Sequence, residues 1–102
     1  MRRIAILGST GSIGTQALDM ISSHPDLFEA YVLTANNNVN LLMEQARRFQ
    51  PEMVVIANAV HYDTVKRGLS DLPIKVYAGE QALCDVVQDS NVDIVLTSMV
   101  GF

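Results

Sequence analysis

Short apolar runs alternate along the chain with longer amphipathic segments. Four of these runs are nearly continuous, rich in β-branched residues and of strand length, a pattern typical of parallel strands that helices cover on both faces. These predicted core strands span residues 4–7, 31–33, 53–57 and 94–96. A weaker fifth strand is predicted at residues 74–78.

Four amphipathic helices are predicted between the strands. The third runs from about residue 59 to residue 69, and the fourth precedes the last strand. Apolar residues in these segments recur at the three- and four-residue spacing that places them on one helical face. The predicted apolar faces comprise Ile13, Ala17, Met20 and Ile21 in the first helix, Val39, Leu42, Met43, Ala46 and Phe49 in the second, and Leu83, Val86 and Val87 in the fourth.

The three prolines, Pro25, Pro51 and Pro73, all fall in helix-to-strand connections. Proline ends a helix because it lacks the backbone N–H and its ring clashes with the preceding turn. Strands that alternate with helices of about ten residues indicate βαβ units, whose right-handed crossovers build a parallel sheet. The sequence therefore predicts an α/β fold with a Rossmann-like, doubly wound parallel sheet.

Composition limits the size and the partners of this fold. The chain has 102 residues, of which 49% are hydrophobic and 18% charged, so it is predicted to form one domain with a real core. The formal net charge is −4 and no basic stripe is present, which disfavours a nucleic-acid partner. No apolar run approaches the ~18 residues that a membrane span needs. The lone Cys84 excludes a disulfide framework and favours the cytoplasm.

Residues 8–14 form a glycine-rich turn between the first strand and the first helix. Such a turn lets the backbone approach a phosphate closely and aims a helix N-terminus at its negative charge. We expect Gly8 to make the turn, Gly11 to allow the close approach and Gly14 to let the helix pack on the strand. Thr10 and Ser12 add hydroxyl donors, and Ser12 is a candidate N-cap.

The spacing of this turn is G-x-x-G-x-x-G, a variant of the dinucleotide-binding fingerprint. No Gly-Lys-Ser or Gly-Lys-Thr follows, which disfavours nucleoside triphosphate hydrolysis. The alternative is a glycine turn that serves packing only. Its position directly after the first strand favours the dinucleotide-binding interpretation.

The second strand is followed by Asn36, Asn37 and Asn38. An NAD site usually has an Asp or Glu here to hold the ribose hydroxyls, and this segment has neither. Amides can donate hydrogen bonds to a 2′-phosphate that an acid would repel, so the segment favours NADP over NAD. A turn with Asn38 as the N-cap of the second helix is the structural alternative, and both can hold together.

The remaining chemically capable residues receive structural interpretations. His24 and His61 are isolated, and two lone histidines form neither a catalytic triad nor a metal site. Cys84 is predicted to be a packed, inert thiol, and the methionines are predicted to fill the core. The sequence thus predicts a cofactor site with no catalytic residue and no metal ligand.

Several segments together resemble the 1-deoxy-D-xylulose 5-phosphate reductoisomerase family, and the match runs the length of the chain. The glycine loop is shared in looser form by semialdehyde dehydrogenases, whereas the succession of later segments is more specific. The segments are residues 6–14, Leu18-Asp19, His24-Pro25-Asp26 with Phe28, residues 35–39, Gln50-Pro51, residues 79–82, and Val92-Asp93 leading to Val100-Gly101.

The resemblance implies an NADPH-dependent bacterial or plastidial enzyme of the non-mevalonate isoprenoid pathway. Such an enzyme forms homodimers, rearranges its phosphorylated sugar substrate on Mg²⁺ or Mn²⁺, and reduces the product with NADPH to 2-C-methyl-D-erythritol 4-phosphate. The resemblance also implies cofactor contacts of two kinds. The pyrophosphate and ribose region would contact Thr10, Gly11, Ser12 and Ile13, and the adenosine ribose phosphate would lie by Asn36, Asn37 and Asn38.

Two further expectations follow from the resemblance. Many members have Gly and then Lys or Arg before the Asn, whereas this chain has Asn36 and Asn37, so the 2′-phosphate lacks a cationic partner. The segment at residues 98–101 would flank the nicotinamide. The metal-binding acids, the substrate-phosphate site and the lid of the family lie beyond the segment that matches Phe102. We therefore expect residues 1–102 to be the NADPH-binding part of a longer enzyme, cut after its last strong strand and inactive alone.

Two alternatives to this interpretation remain open on the sequence. One is the cofactor domain of a semialdehyde dehydrogenase-like reductase. The other is a standalone module that binds a dinucleotide without turnover.

Overall fold

The computed structural model describes residues 2–97. Five strands alternate with four α-helices, and a short 3₁₀ turn at Ala59–His61 leads into the third helix. The strands are β1 (Arg2–Leu7), β2 (Phe28–Ala35), β3 (Met53–Ile56), β4 (Lys75–Ala78) and β5 (Ile94–Thr97). The helices are α1 (Ser12–Ser23), α2 (Val39–Phe49), α3 (Tyr62–Gly68) and α4 (Glu80–Val87).

The five strands form one parallel sheet in the order β4-β3-β2-β1-β5. The chain moves outward from β1 to β4 and then returns across the sheet, so that β5 pairs with β1. The strand order therefore reverses between β1 and β5, which is the switch point of a doubly wound sheet. The predicted Rossmann-like α/β fold is confirmed.

Helices cover the two faces of the sheet unequally. Alternate residues of β1 point to opposite faces, so Ile4 and Ile6 pack with the buried side chains of α1, α2 and α3. Ala5 points the other way, into a smaller cluster that includes Val86 of α4. Three helices thus pack on one face of the described sheet and one on the other.

The first helix is rotated relative to its predicted face. Its buried residues are Gly14, Leu18 and Ile21, whereas Ile13 is 60% exposed and Met20 is 38% exposed. Both residues were placed on the predicted apolar face, and Met20 also in the core, yet the structure buries neither of them. Small and apolar residues recur along this helix at three- and four-residue spacing on two overlapping faces. Close packing of the helix on β1 buries the face that carries Gly14.

Two expectations about the C-terminal part of the chain also need correction. β5 was predicted to be a core strand, yet within residues 2–97 it pairs on one side only and Val95 is 43% exposed. Cys84 was predicted to be packed, and it is exposed, because α4 turns Val86 toward the sheet and Cys84 toward solvent. None of the helices in the described part is long and apolar enough to cross a membrane.

Candidate functional site

The glycine loop (residues 8–14) and the asparagine segment (Asn36, Asn37 and Asn38) follow the carboxyl ends of the neighbouring strands β1 and β2. Ser9 N donates to Thr34 O at 2.8 Å, and Gly8 N donates to Thr34 Oγ1 at 2.9 Å. These two bonds tie the start of the loop to the end of the neighbouring strand. In open α/β sheets, ligands bind outside the carboxyl ends of the strands, near the point where the strand order reverses. The loop lies at that point.

Two glycines of the loop are required by its geometry. Gly8 has a φ of +81°, a left-handed conformation that side chains disfavour. A Cβ at Gly14 would collide with the Gly8 carbonyl and would lie 2.6 Å from Ser9 Cα, so α1 can pack this closely on the loop only with glycine there. The predicted roles of Gly8 in the turn and of Gly14 in packing are confirmed.

The outer part of the loop is open to a ligand. Gly11, Ser12 and Ile13 are exposed, and Thr10 is half-buried. Gly11 has an extended backbone, with φ of −80° and ψ of 174°, which any residue can adopt. The backbone conformation at position 11 therefore does not require glycine. The choice of glycine is consistent with a position where a side chain would obstruct a bound ligand.

Ser12 does not cap the first helix, contrary to the prediction. Gly11 is the N-cap residue, it makes no side-chain cap bond, and its carbonyl accepts from Thr15 N at 2.9 Å. The helix begins one residue earlier than a Ser12 cap requires, so Ser12 is its first residue. The exposed hydroxyl of Ser12 is then free of a capping role at the N-terminus of α1.

A buried polar network beneath the loop was not predicted from the sequence. Ser9 is fully buried, Gln45 is 7% exposed, and Ser9 Oγ donates to Gln45 Oε1 at 2.7 Å. Gln45 Nε2 donates in return to Ser9 O at 2.8 Å. One signal was available, because Gln45 shares the buried face of α2 with Leu42 and Ala46. A polar residue on such a face needs partners.

The asparagine segment leads directly into α2. Asn36, Asn37 and Asn38 are all exposed, and Asn38 Oδ1 accepts from Leu41 N at 3.3 Å. The predicted N-cap role of Asn38 is thereby confirmed. The segment lies at the positive end of the α2 dipole and contains no carboxylate, so it presents an environment that favours an anion.

Asn58, which follows β3, contacts this segment, a contact that was also not predicted from the sequence. Its backbone N–H donates to Asn36 O at 3.1 Å, and its Nδ2 donates to Asn37 Oδ1 at 2.7 Å. No local pattern pointed to it, because the contact joins residues 21 positions apart.

Metal-ligating side chains do not cluster in the part of the chain that the structure describes. Within residues 2–97, no group of three or more His, Cys, Asp or Glu side chains could hold a metal ion, so this part of the chain does not fit a metal.

The Arg47 guanidinium lowers the pKa of Asp71 by hydrogen bonding, and that pair joins α2 to the segment after α3. The residues expected to flank a nicotinamide, 98–101, lie outside the described residues.

The fold is that of a Rossmann-like α/β domain, with a glycine loop of the dinucleotide-binding type after its first strand. A profile of the 1-deoxy-D-xylulose 5-phosphate reductoisomerase family matches residues 4–102, and the chain belongs to that family. This membership replaces the semialdehyde dehydrogenase-like interpretation.

Curated relatives in this family are close in sequence. The 1-deoxy-D-xylulose 5-phosphate reductoisomerase of Bacteroides thetaiotaomicron is 66% identical over 101 residues, which are 99% of this chain and 26% of that protein. The same enzyme of Porphyromonas gingivalis is 57% identical over 101 residues, with the same two shares. The chain thus spans about a quarter of the length of these relatives.

Solved structures of the family share the fold. The enzyme from Zymomonas mobilis in complex with NADPH has a TM-score of 0.84 and 34% identity over 88% of this chain and 24% of that one. A reductoisomerase in complex with NADPH, fosmidomycin and magnesium has a TM-score of 0.92 and 29% identity. That match covers 97% of this chain and 24% of the other.

Proposed function

We propose that residues 1–102 form the NADPH-binding domain of a 1-deoxy-D-xylulose 5-phosphate reductoisomerase. The observation that carries the proposal is the glycine loop at the carboxyl end of β1. Gly8 is in the left-handed region, Gly14 is packed against backbone, and the residues between them are exposed. The relative from Zymomonas mobilis, with the same fold, is in complex with NADPH.

In this proposal Thr10, Gly11, Ser12 and Ile13 contact the cofactor. The exposed backbone of Gly11 allows close approach of the pyrophosphate, and the N-terminus of the 12-residue helix α1 favours its negative charge. The hydroxyls of Thr10 and Ser12 can donate to phosphate oxygens. The 60% exposed side chain of Ile13 gives the cofactor an apolar surface to cover.

Asn36, Asn37 and Asn38 receive the adenosine ribose and its 2′-phosphate. They follow β2, which is the neighbour of the strand that carries the glycine loop. Their amides are neutral donors, so the affinity for the 2′-phosphate depends on hydrogen bonds rather than on a cationic side chain. We therefore expect a preference for NADPH that is weaker than a Lys or Arg would provide.

The longer protein would carry out the reaction itself. There NADPH would supply the hydride that reduces the rearranged phosphorylated sugar to 2-C-methyl-D-erythritol 4-phosphate. The divalent metal, Mg²⁺ or Mn²⁺, would be held by residues outside 1–102, and we propose that the enzyme is a cytoplasmic homodimer. Neither nucleic acid nor membrane is a proposed partner. The role of the present residues is to bind and orient the cofactor.

Titration of the chain with NADPH by isothermal calorimetry tests the proposal. The unsubstituted chain should bind NADPH, and Gly11→Val should lose at least about tenfold in affinity, because a side chain there obstructs the pyrophosphate. Thr10→Ala should lose less, about threefold. The thermal unfolding midpoint of Gly11→Val should fall only slightly, since the backbone conformation at this N-cap suits any residue, although valine is a poorer N-cap than glycine. Full affinity in Gly11→Val would contradict the proposed approach of the cofactor to Gly11.

A further inference from the structure

We propose that Asn58 determines cofactor specificity by orienting the Asn37 side-chain amide toward the 2′-phosphate of NADPH. Asn58 lies outside the segment to which the family resemblance assigns phosphate contacts. The inference rests on the proposed function, because it presumes that Asn37 faces the cofactor.

The backbone holds Asn58 beside the asparagine segment. After the paired strands β2 and β3 end, the pairing continues for two more bonds. Ala57 N donates to Ala35 O at 2.8 Å, and Asn58 N donates to Asn36 O at 3.1 Å. The position of Asn58 relative to residues 36 and 37 is therefore set by main-chain contacts and does not depend on its own side chain.

The orientation of the Asn58 amide follows from its second contact. Asn58 Oδ1 accepts from Val60 N at 3.2 Å and so caps the 3₁₀ turn. With its oxygen committed to that donor, Asn58 presents its amino group to Asn37. The Asn58 Nδ2 donates to Asn37 Oδ1 at 2.7 Å, so only the oxygen of Asn37 can face Asn58.

The Asn37 amino group is then left to the ligand. Within residues 2–97, Asn37 Nδ2 donates to no protein atom. A phosphate dianion can only accept hydrogen bonds, whereas the 2′-hydroxyl of NADH both donates and accepts. An amide whose amino group is held available therefore favours the phosphate, and an amide free to rotate adapts to either cofactor.

The substitution Asn58→Asp reverses this orientation and preserves the rest of the contact. One carboxylate oxygen can still accept from Val60 N, so the cap of the 3₁₀ turn remains. The other oxygen accepts but cannot donate, and it draws the Asn37 amino group toward residue 58. The Asn37 oxygen then faces the cofactor, where it repels the phosphate.

Calorimetric titration with NADPH and with NADH measures the effect as a ratio of dissociation constants. In Asn58→Asp the affinity for NADPH should fall by about tenfold or more, while that for NADH should change by less than about threefold. Asn91→Asp provides the matched control. It makes the same change in an exposed turn that precedes β5, at the amino end of that strand and away from the carboxyl ends where Asn58 lies. This substitution should leave both affinities unchanged.

The same substitution in an Asn37→Ala background separates orientation from added charge. With Asn37 absent, Asn58→Asp should cost NADPH binding only about threefold, from repulsion by the new carboxylate. An equal loss in both backgrounds, or an unchanged NADPH to NADH ratio in Asn58→Asp, would overturn the inference while leaving the proposed function intact. Failure of the unsubstituted chain to bind either dinucleotide would overturn both.

Discussion

Gln45 and Ser9 are joined by two buried hydrogen bonds that run in opposite directions. The Ser9 hydroxyl donates to Gln45 Oε1 at 2.7 Å, and Gln45 Nε2 donates to the Ser9 carbonyl at 2.8 Å. Ser9 lies in the glycine loop and Gln45 in the middle of α2, so the pair attaches the loop to a helix from beneath. The loop is thus positioned by a side chain that lies 36 residues away in sequence.

Gln45→Met should both destabilise the chain and weaken NADPH binding. Methionine keeps the volume but leaves the buried Ser9 carbonyl without its donor, which should lower the free energy of unfolding by about 1–3 kcal/mol. The loop would lose its anchor, so the NADPH dissociation constant should rise by about threefold or more. Chemical denaturation and calorimetry measure the two effects.

Gln81→Met is the control for this substitution. Gln81 lies on the exposed face of α4 and its Nε2 donates to Asp85 Oδ1 at 3.1 Å in solvent. The same change there should leave both stability and NADPH affinity almost unchanged. Equal effects of the two substitutions would show that Gln45 does not support the loop.

Gly14→Ala should destabilise the chain by about 1–3 kcal/mol, as expected for overpacking against a rigid partner. The added methyl would meet backbone atoms of Gly8 and Ser9, which cannot move without disturbing the loop. Gly68→Ala is the matched control, since its methyl would meet the flexible side chain of Met43. Chemical denaturation compares the two, and a similar small loss in both would contradict the proposed packing of α1.

Asp71→Asn should lower the thermal unfolding midpoint slightly at neutral pH. The Arg47 guanidinium holds the pKa of Asp71 below its ordinary value of 3.8, and Arg47 also donates to the Gly68 carbonyl. A carboxyl whose pKa is lowered by folding stabilises the protein above its unfolded pKa and loses that contribution as the pH falls through its folded pKa.

The difference between the unsubstituted chain and Asp71→Asn should therefore be largest above about pH 5 and vanish at strongly acidic pH. Both groups are exposed, so the difference should also shrink as salt is added. Unfolding midpoints measured across pH and ionic strength provide the test. A difference that persists unchanged into acid would indicate that the substitution acts through something other than the ion pair.

Local pattern was sufficient for the features that depend on neighbouring residues. Runs of β-branched residues located the strands, and the spacing of Gly8 and Gly14 indicated both the turn and the tight helix contact. Ile13 and Met20 were misplaced because the spacing of apolar residues permits two faces of α1, and only packing against the sheet selects between them.

The contacts that support the candidate site could not be predicted, because they join distant parts of the chain. Gln45 reaches Ser9 only once α2 has packed on the sheet, and Asn58 reaches Asn37 only once β3 has paired with β2. In both cases the partner is decided by topology. A polar residue on the buried face of a helix was the one available signal, and it pointed to Gln45.

The most direct test of the central claim is an NMR titration of the chain with NADPH, followed through its backbone amide resonances. The 11.2 kDa chain is small enough for residue-by-residue assignment. We predict that the largest shifts fall at residues 8–14 and 36–38, which follow the neighbouring strands β1 and β2 at the carboxyl edge of the sheet. Saturable binding with its largest shifts elsewhere, or no shifts at all, would contradict the account.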